Sequence, residues 1–147
     1  MLANNIKVGL IDTGIDTDNI FLNSSVIKSV SFKMKHNIIT QNKFHEDQFG
    51  HGTACAAIIK KYSSLIKFCS VKITNNQYVH IKLLIHSIKW CIKNKVNVIN
   101  ISMGIENSNQ NKNTIHLLKY ICKKAVDSGI FIVASNIYDD NTLFYPA

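Results

Sequence analysis

A chain of 147 residues with 46% hydrophobic and 18% charged residues is long enough for one packed core and too apolar to be disordered. Its formal net charge of +8 invites a nucleic-acid reading, but the lysines are scattered, with short doublets only at Lys60-Lys61 and Lys123-Lys124. Basic balance spread in that way gives non-specific affinity at most, so no nucleic-acid partner is expected.

The N-terminal residues lead straight into the apolar run Ile6–Ile11, without a basic region ahead of a long apolar one. No signal peptide is therefore expected, and a cytoplasmic location is. No apolar stretch approaches bilayer length, so no membrane partner is expected either. Cys55, Cys69, Cys91 and Cys122 lack metal-site spacing and are expected as small core residues.

Lys7–Ile11 is short and almost wholly apolar, which predicts a buried strand, and Asp12-Thr13-Gly14 predicts the turn that closes it. Val26–Phe32 alternates as a second strand, and the polar, irregular His36–Gly50 predicts a loop. From Gly52 to Tyr62, Ala54, Ala57 and Ile58 with Cys55 predict a helix packed on that face. Ile66–Ile73 predicts a third strand. Val79–Lys93 is an amphipathic helix, with Ile81, Leu84, Ile85, Ile88 and Ile92 on one side and Lys82, Lys89 and Lys93 elsewhere. Val96–Ser102 predicts a buried strand. Thr114–Asp127 predicts a helix with Leu117, Leu118, Ile121 and Val126 inward and Gly129 ending it. Ile130–Ala134 is the last predicted strand.

Strands alternating with helices predict an α/β three-layer sandwich, a mostly parallel sheet covered on both faces. Such sheets carry their chemistry at the carboxyl ends of the strands. Asp12, Ser102 and Asn136 fall there.

A carboxylate directly after a buried strand is held rigidly, as an acid that orients a histidine must be. Asp-Thr-Gly alone also fits a simple turn or an aspartic protease, although two strong helices oppose that nearly all-β fold. His51 narrows the choice. It stands between Gly50 and Gly52 at the mouth of a predicted helix, where small neighbours allow close approach to the imidazole. A histidine so placed is a candidate general base.

Together the two motifs resemble the subtilisin-like serine proteases, the subtilases. Ile11-Asp12-Thr13-Gly14-Ile15 is similar to the family's Asp signature, and Asp47-Gln48-Phe49-Gly50-His51-Gly52-Thr53 to its His signature. Their separation of 39 residues suits the compact members. Val96–Gly104 resembles the strand ending in Ser-x-Gly, and Gly129–Asn136 with Tyr145-Pro146-Ala147 resembles the segment bearing the oxyanion-hole asparagine. The resemblance runs from about Lys7 to the last residue.

The resemblance implies a serine endopeptidase acting on peptide or protein substrates without a cofactor. His51 would be the general base and Asp12 its orienting partner. Ser102, Met103 and Gly104 would bind the substrate backbone by strand addition. Asn136 would donate to the oxyanion; the family has Ala-Ala-Gly-Asn where this chain reads Ala134-Ser135-Asn136-Ile137, which leaves Asn141 as the alternative. The loop acids Asp16, Asp18, Glu46, Asp139 and Asp140 form no recognisable calcium set, so no metal is expected.

The family's third signature, Gly-Thr-Ser-x-Ala opening a buried helix, is absent from these residues. Three explanations fit: a truncated catalytic domain, a peptide-binding remnant without catalysis, or a serine supplied by a second polypeptide. Truncation is the expectation, with 1–147 as a single incomplete domain, and Met103, Phe131 and Phe144 near surface that the remainder would cover. Cleavage specificity and oligomeric state are not readable.

Overall fold

The computed structural model describes residues 5–42, 44–74, 79–103, 105–106, 112–135 and 144–145. In chain order the elements are β1 (Ile6–Asp12), β2 (Val26–Lys35), β3 (Ile38–Asn42), α1 (His51–Tyr62), β4 (Ile66–Lys72) and α2 (Ile81–Lys93). They continue with β5 (Val98–Ile101), β6 (Ile105–Glu106), α3 (Lys112–Asp127), β7 (Phe131–Ala134) and β8 (Phe144–Tyr145). Six strands form one sheet in the order β3-β2-β4-β1-β5-β7, all parallel except β3; β6 and β8 make a separate two-stranded antiparallel pair. No helix among the described residues is long and apolar enough to cross a membrane.

β1 lies inside the sheet, hydrogen-bonded to β4 on one side and β5 on the other. Its side chains alternate between two cores, as the pleat requires. Val8 and Leu10 join Ile66, Phe68 and Ala56 of α1 in one cluster; Ile11 joins Val71, Ile99, Leu84, Ile88 and Leu118 in the larger one. The sheet therefore has α1 on one face and α2 with α3 on the other, the expected three layers. Since both faces of β1 are buried, its sequence is nearly all apolar rather than alternating.

Several expectations are corrected. The segment expected as loop from His36 to Gly50 contains β3, which pairs antiparallel with β2 through a two-residue turn. His36 and Asn37 both have positive φ, the geometry that matches hairpin twist, and asparagine tolerates it. β3 is polar because it is an edge strand with exposed positions. The second helix begins at Ile81 rather than Val79, with His80 Nδ1 accepting from the Lys82 amide as an N-cap.

The inward face of α1 is met in part: Cys55 and Ala57 pack against the core as expected. Gly52 and Ala56 are buried, and Ala54 and Ile58 point outward, Ile58 being 61% exposed. The stripe four residues apart carrying the smallest side chains faces the sheet because it permits the closest approach. In α3, Ile115, Leu118, Ile121 and Ala125 form the buried stripe, whereas Leu117 and Val126 sit one residue off it and are exposed. Among the cysteines, Cys69 and Cys91 are buried as expected, but Cys55 and Cys122 are only half-buried.

At β7 the sheet ends among the described strands, and Phe131 and Val133 are 74% and 54% exposed. They point to the α1 side, where α1 packs mainly on β1 and β4; Ile132 and Ala134 pack on the opposite core. Phe131 thus fits the expected uncovered edge. Met103 does not, because it is half-buried against the larger core. The Phe144 side chain lies outside the described residues.

These faces differ in what they contribute. Ile88→Ala, which empties a fully buried site under the sheet, is expected to cost about 2–5 kcal/mol in urea unfolding, and Ile58→Ala less than about 1 kcal/mol. Equal losses would contradict the assignment of the α1 faces.

Candidate active site

The register puts Asp12 at the carboxyl end of β1, beside Lys72 of β4 and one step beyond the Ile11–Ile101 pair that leads into Ser102. Asp12 is fully buried. Its Oδ1 accepts from the Thr13 amide at 2.7 Å and faces Nδ1 of His51 at 2.8 Å. A carboxylate only accepts hydrogen bonds, so the ring proton sits on Nδ1 and the lone pair on Nε2. The His51 side chain is 46% exposed, so the imidazole has its carboxylate behind it and solvent in front. That is the arrangement of an oriented general base.

His51 reaches this position because α1 starts against the turn that follows β1. The Gly52 amide donates to Thr13 Oγ1 at 2.9 Å, and a Cβ on Gly52 would collide with the carbonyl of Gly14 and crowd Asp12. Gly14 itself has φ +110°, a left-handed conformation that favours glycine. The glycines of the two signatures thus allow turn and helix to touch.

Asp47 holds that contact together. Its Oδ1 accepts from Thr13 Oγ1 (2.8 Å) and the amides of Phe49 (3.0 Å) and Gly50 (2.8 Å). Its Oδ2 accepts from the Thr53 amide (2.8 Å) and Thr53 Oγ1 (2.7 Å). One carboxylate therefore satisfies the open amide end of α1 and grips the Asp12 turn. Burial alone would raise the Asp47 carboxyl, but the hydrogen bonds from Thr53, Gly50 and Thr13 outweigh it and hold it below the ordinary carboxylate range. Next to it, the almost fully buried Lys72 donates to the Glu46 carbonyl, and burial lowers its ammonium despite the nearby Asp47 charge.

Ser102 stands at the end of β5 on the same side. Its Oγ accepts from Asn100 Nδ2 at 2.7 Å and from Cys55 Sγ at 3.5 Å. Burial is the main cause that raises the Cys55 thiol, the Ser102 hydrogen bond offsets part of it, and the Asp12 and Asp47 charges add to it. The structure thus brings Asp12, His51, Ser102 and Cys55 together. Met103 follows Ser102, half-buried; Gly104 and Asn136 lie outside the described residues, as does Asn141.

Asp47, Lys72 and Cys55 have places in the site that the sequence reading did not give them. Asp47 was visible as an acid three residues before the residue that caps a helix. Cys55 was visible as the residue four after His51, hence on the same helix face. For Lys72 no sequence signal exists, since a lysine ending a strand is ordinarily solvated.

The acid–histidine pair thus sits at the carboxyl edge of a mostly parallel sheet, with a strand end beside it, in a three-layer α/β fold. Residues 3–137 match the model of the subtilase family, and the chain belongs to that family. It is 29% identical to subtilisin amylosacchariticus of Bacillus subtilis subsp. amylosacchariticus over 99% of this chain and 39% of that protein. To the subtilisin of Bacillus pumilus it is 29% identical over 99% of this chain and 54% of that protein. The chain therefore spans between about two-fifths and just over half of these relatives.

Solved structures share the fold. The nisin leader peptidase NisP from Lactococcus lactis superposes with a TM-score of 0.74 at 21% identity, covering 90% of this chain and 43% of that one. A cold adapted subtilisin-like serine proteinase gives 0.67 at 19% identity, covering 89% and 46%.

Asp47 offers a test with a defined sign. Its folded-state pKa lies below the unfolded value, so its contribution is complete above the ordinary carboxylate range and lost as pH falls through the folded pKa. Asp47→Ala should cost about 2 kcal/mol near neutral pH, and the gap to wild type should shrink in acid. A gap independent of pH in chemical denaturation would remove the carboxylate from this role.

Proposed function

We propose that the chain is the acid–base part of a subtilisin-like serine endopeptidase, with Asp12 and His51 as two members of an Asp/His/Ser triad. One observation carries the reading: the 2.8 Å contact between His51 Nδ1 and buried Asp12, in a chain that matches the subtilase model over residues 3–137. His51 would take the proton of a serine hydroxyl through Nε2 and return it to the leaving amine. Asp12 would hold the tautomer and stabilise the imidazolium.

Peptide substrates are what the family resemblance implies for the end of β5, where the backbone of Ser102, Met103 and Gly104 would pair with an extended chain. They are also consistent with structural neighbours described as leader peptidases. Asn136 is assigned to the oxyanion on the resemblance of its segment alone. The nucleophile would come from a Gly-Thr-Ser-x-Ala segment outside these 147 residues, on the same or another polypeptide.

A second reading has its own observation. No serine within the 147 residues stands in that motif, so a protein of these residues alone would bind peptides without cutting them.

Reading the coding sequence past Ala147 separates the two. A Gly-Thr-Ser-x-Ala motif is expected there. In the protein that includes it, His51→Ala should abolish peptidase activity and Asp12→Asn should lower kcat roughly 10⁴-fold, with circular dichroism unchanged. Full activity of the His51→Ala protein would overturn the assignment. Peptide binding without turnover or phosphonate labelling, in a protein with no such motif, would establish the second reading.

A further inference from the structure

Lysines that lie scattered along the sequence are gathered by the fold. In a parallel sheet each connecting helix runs back against the strands, so helix carboxyl ends and strand amino ends meet at one pole. Lys7 and Lys67 are cross-strand partners at the starts of β1 and β4, and Lys28 stands at the start of neighbouring β2. Lys28 Nζ donates to Asn94 Oδ1 at 2.7 Å, which places it beside the exposed Lys93 and Lys95 where α2 ends. Lys60, in the last turn of α1, donates to the carbonyl of Ile66, the residue before Lys67. Of the described acidic side chains, Asp12, Asp16, Asp18, Glu46 and Asp47 lie around the opposite, carboxyl end. Asp127 shares the basic pole, and it is already paired with Lys123 at 2.8 Å.

The same pole exposes large apolar side chains. Tyr62, 85% exposed, and Leu65 flank the turn from α1 into β4. Exposed Ile6 adjoins them, its amide donating to the Leu65 carbonyl at 3.2 Å, and exposed Ile27 precedes Lys28. We propose that this pole is a docking surface for an anionic lipid bilayer.

Helix carboxyl ends favour lysines for their own dipoles, but Lys7, Lys28 and Lys67 start strands, whose dipoles are small. Ammonium groups interleaved with exposed Ile, Leu and Tyr suit both layers of a bilayer surface. The charges meet anionic headgroups, and the apolar side chains enter the boundary between headgroup and acyl chain. A nucleic acid would use the charge but not the aliphatic side chains. The chain also has no arginine, the residue that grips phosphate bidentately. Docking on a surface needs no membrane-spanning segment. The pole centres on β1, β4 and β2, so strands added beyond β7 would extend the sheet away from it. Asp12 and His51, at the carboxyl end, would face away from the lipid, and lipid binding is independent of the proposed peptidase reaction.

The test is cosedimentation of the full-length protein with phosphatidylcholine vesicles, with and without about one-third phosphatidylserine, at near-physiological salt. Binding is expected only with phosphatidylserine, and no binding there would overturn the surface. A lysine near an anionic surface contributes about fivefold in affinity, so Lys28→Gln/Lys93→Gln/Lys95→Gln should weaken binding roughly 100-fold. Lys33→Gln/Lys35→Gln/Lys82→Gln removes the same charge from the other end of the sheet and should change binding less than about twofold. Tyr62→Ser should weaken it severalfold. Equal losses in the two triple variants would reduce the effect to net charge and overturn the pole. Tighter binding to a short DNA duplex, with vesicle binding unmoved by Tyr62→Ser, would overturn the lipid in favour of a nucleic acid. Should the first triple variant lose its fold by circular dichroism, Lys93→Gln alone, at an exposed side chain, should still weaken binding about fivefold, and unchanged affinity would overturn the pole.

Discussion

The carboxylate of Asp47 is the joint on which the site depends. Asp12 and His51 are 39 residues apart, one ending a strand and the other starting a helix. The parallel sheet fixes the backbone of Asp12 through β4 and β5, but it says nothing about where α1 begins. Asp47 supplies that second constraint by accepting from the Thr13 hydroxyl on one side and from Thr53 on the other. Gly52 then lets the helix close onto the turn, and the His51–Asp12 distance follows from the two contacts. A flexible pair of side chains would lose entropy on each encounter; here the ordering cost is met when the chain folds.

Much of this was legible before any coordinates. Strand β1, helices α2 and α3 and the parallel sheet follow from apolar runs and helical spacing, because those elements bury broad surfaces whose composition is constrained. Asp12 and His51 were legible because a Thr-Gly turn follows the one and glycines flank the other. β3 was not, since an edge strand leaves half of its groups to solvent and reads like a loop. On α1, Ala54 and Ile58 were misread as inward for a different reason. Periodicity weighs bulk, and Ile58 outranks Ala56 and Gly52 on that measure, yet closeness to Asp12 selects the small stripe. Tertiary contact overrode hydrophobic ranking there.

The two faces of the sheet are not equally finished. On the α2–α3 face the larger core is continuous from β2 to β7. On the α1 face, among the described residues, α1 packs mainly over β1 and β4, and Phe131 and Val133 are exposed beyond it, with Ile58 exposed on α1. Layered α/β folds bury both faces of a parallel sheet, so apolar residues of this size mark surface suited to a further element. In the subtilase resemblance, the serine signature opens a buried helix. A helix packed across this open face would lie on the same side of the sheet as α1 and His51, the side that a nucleophile would have to reach under the proposed function.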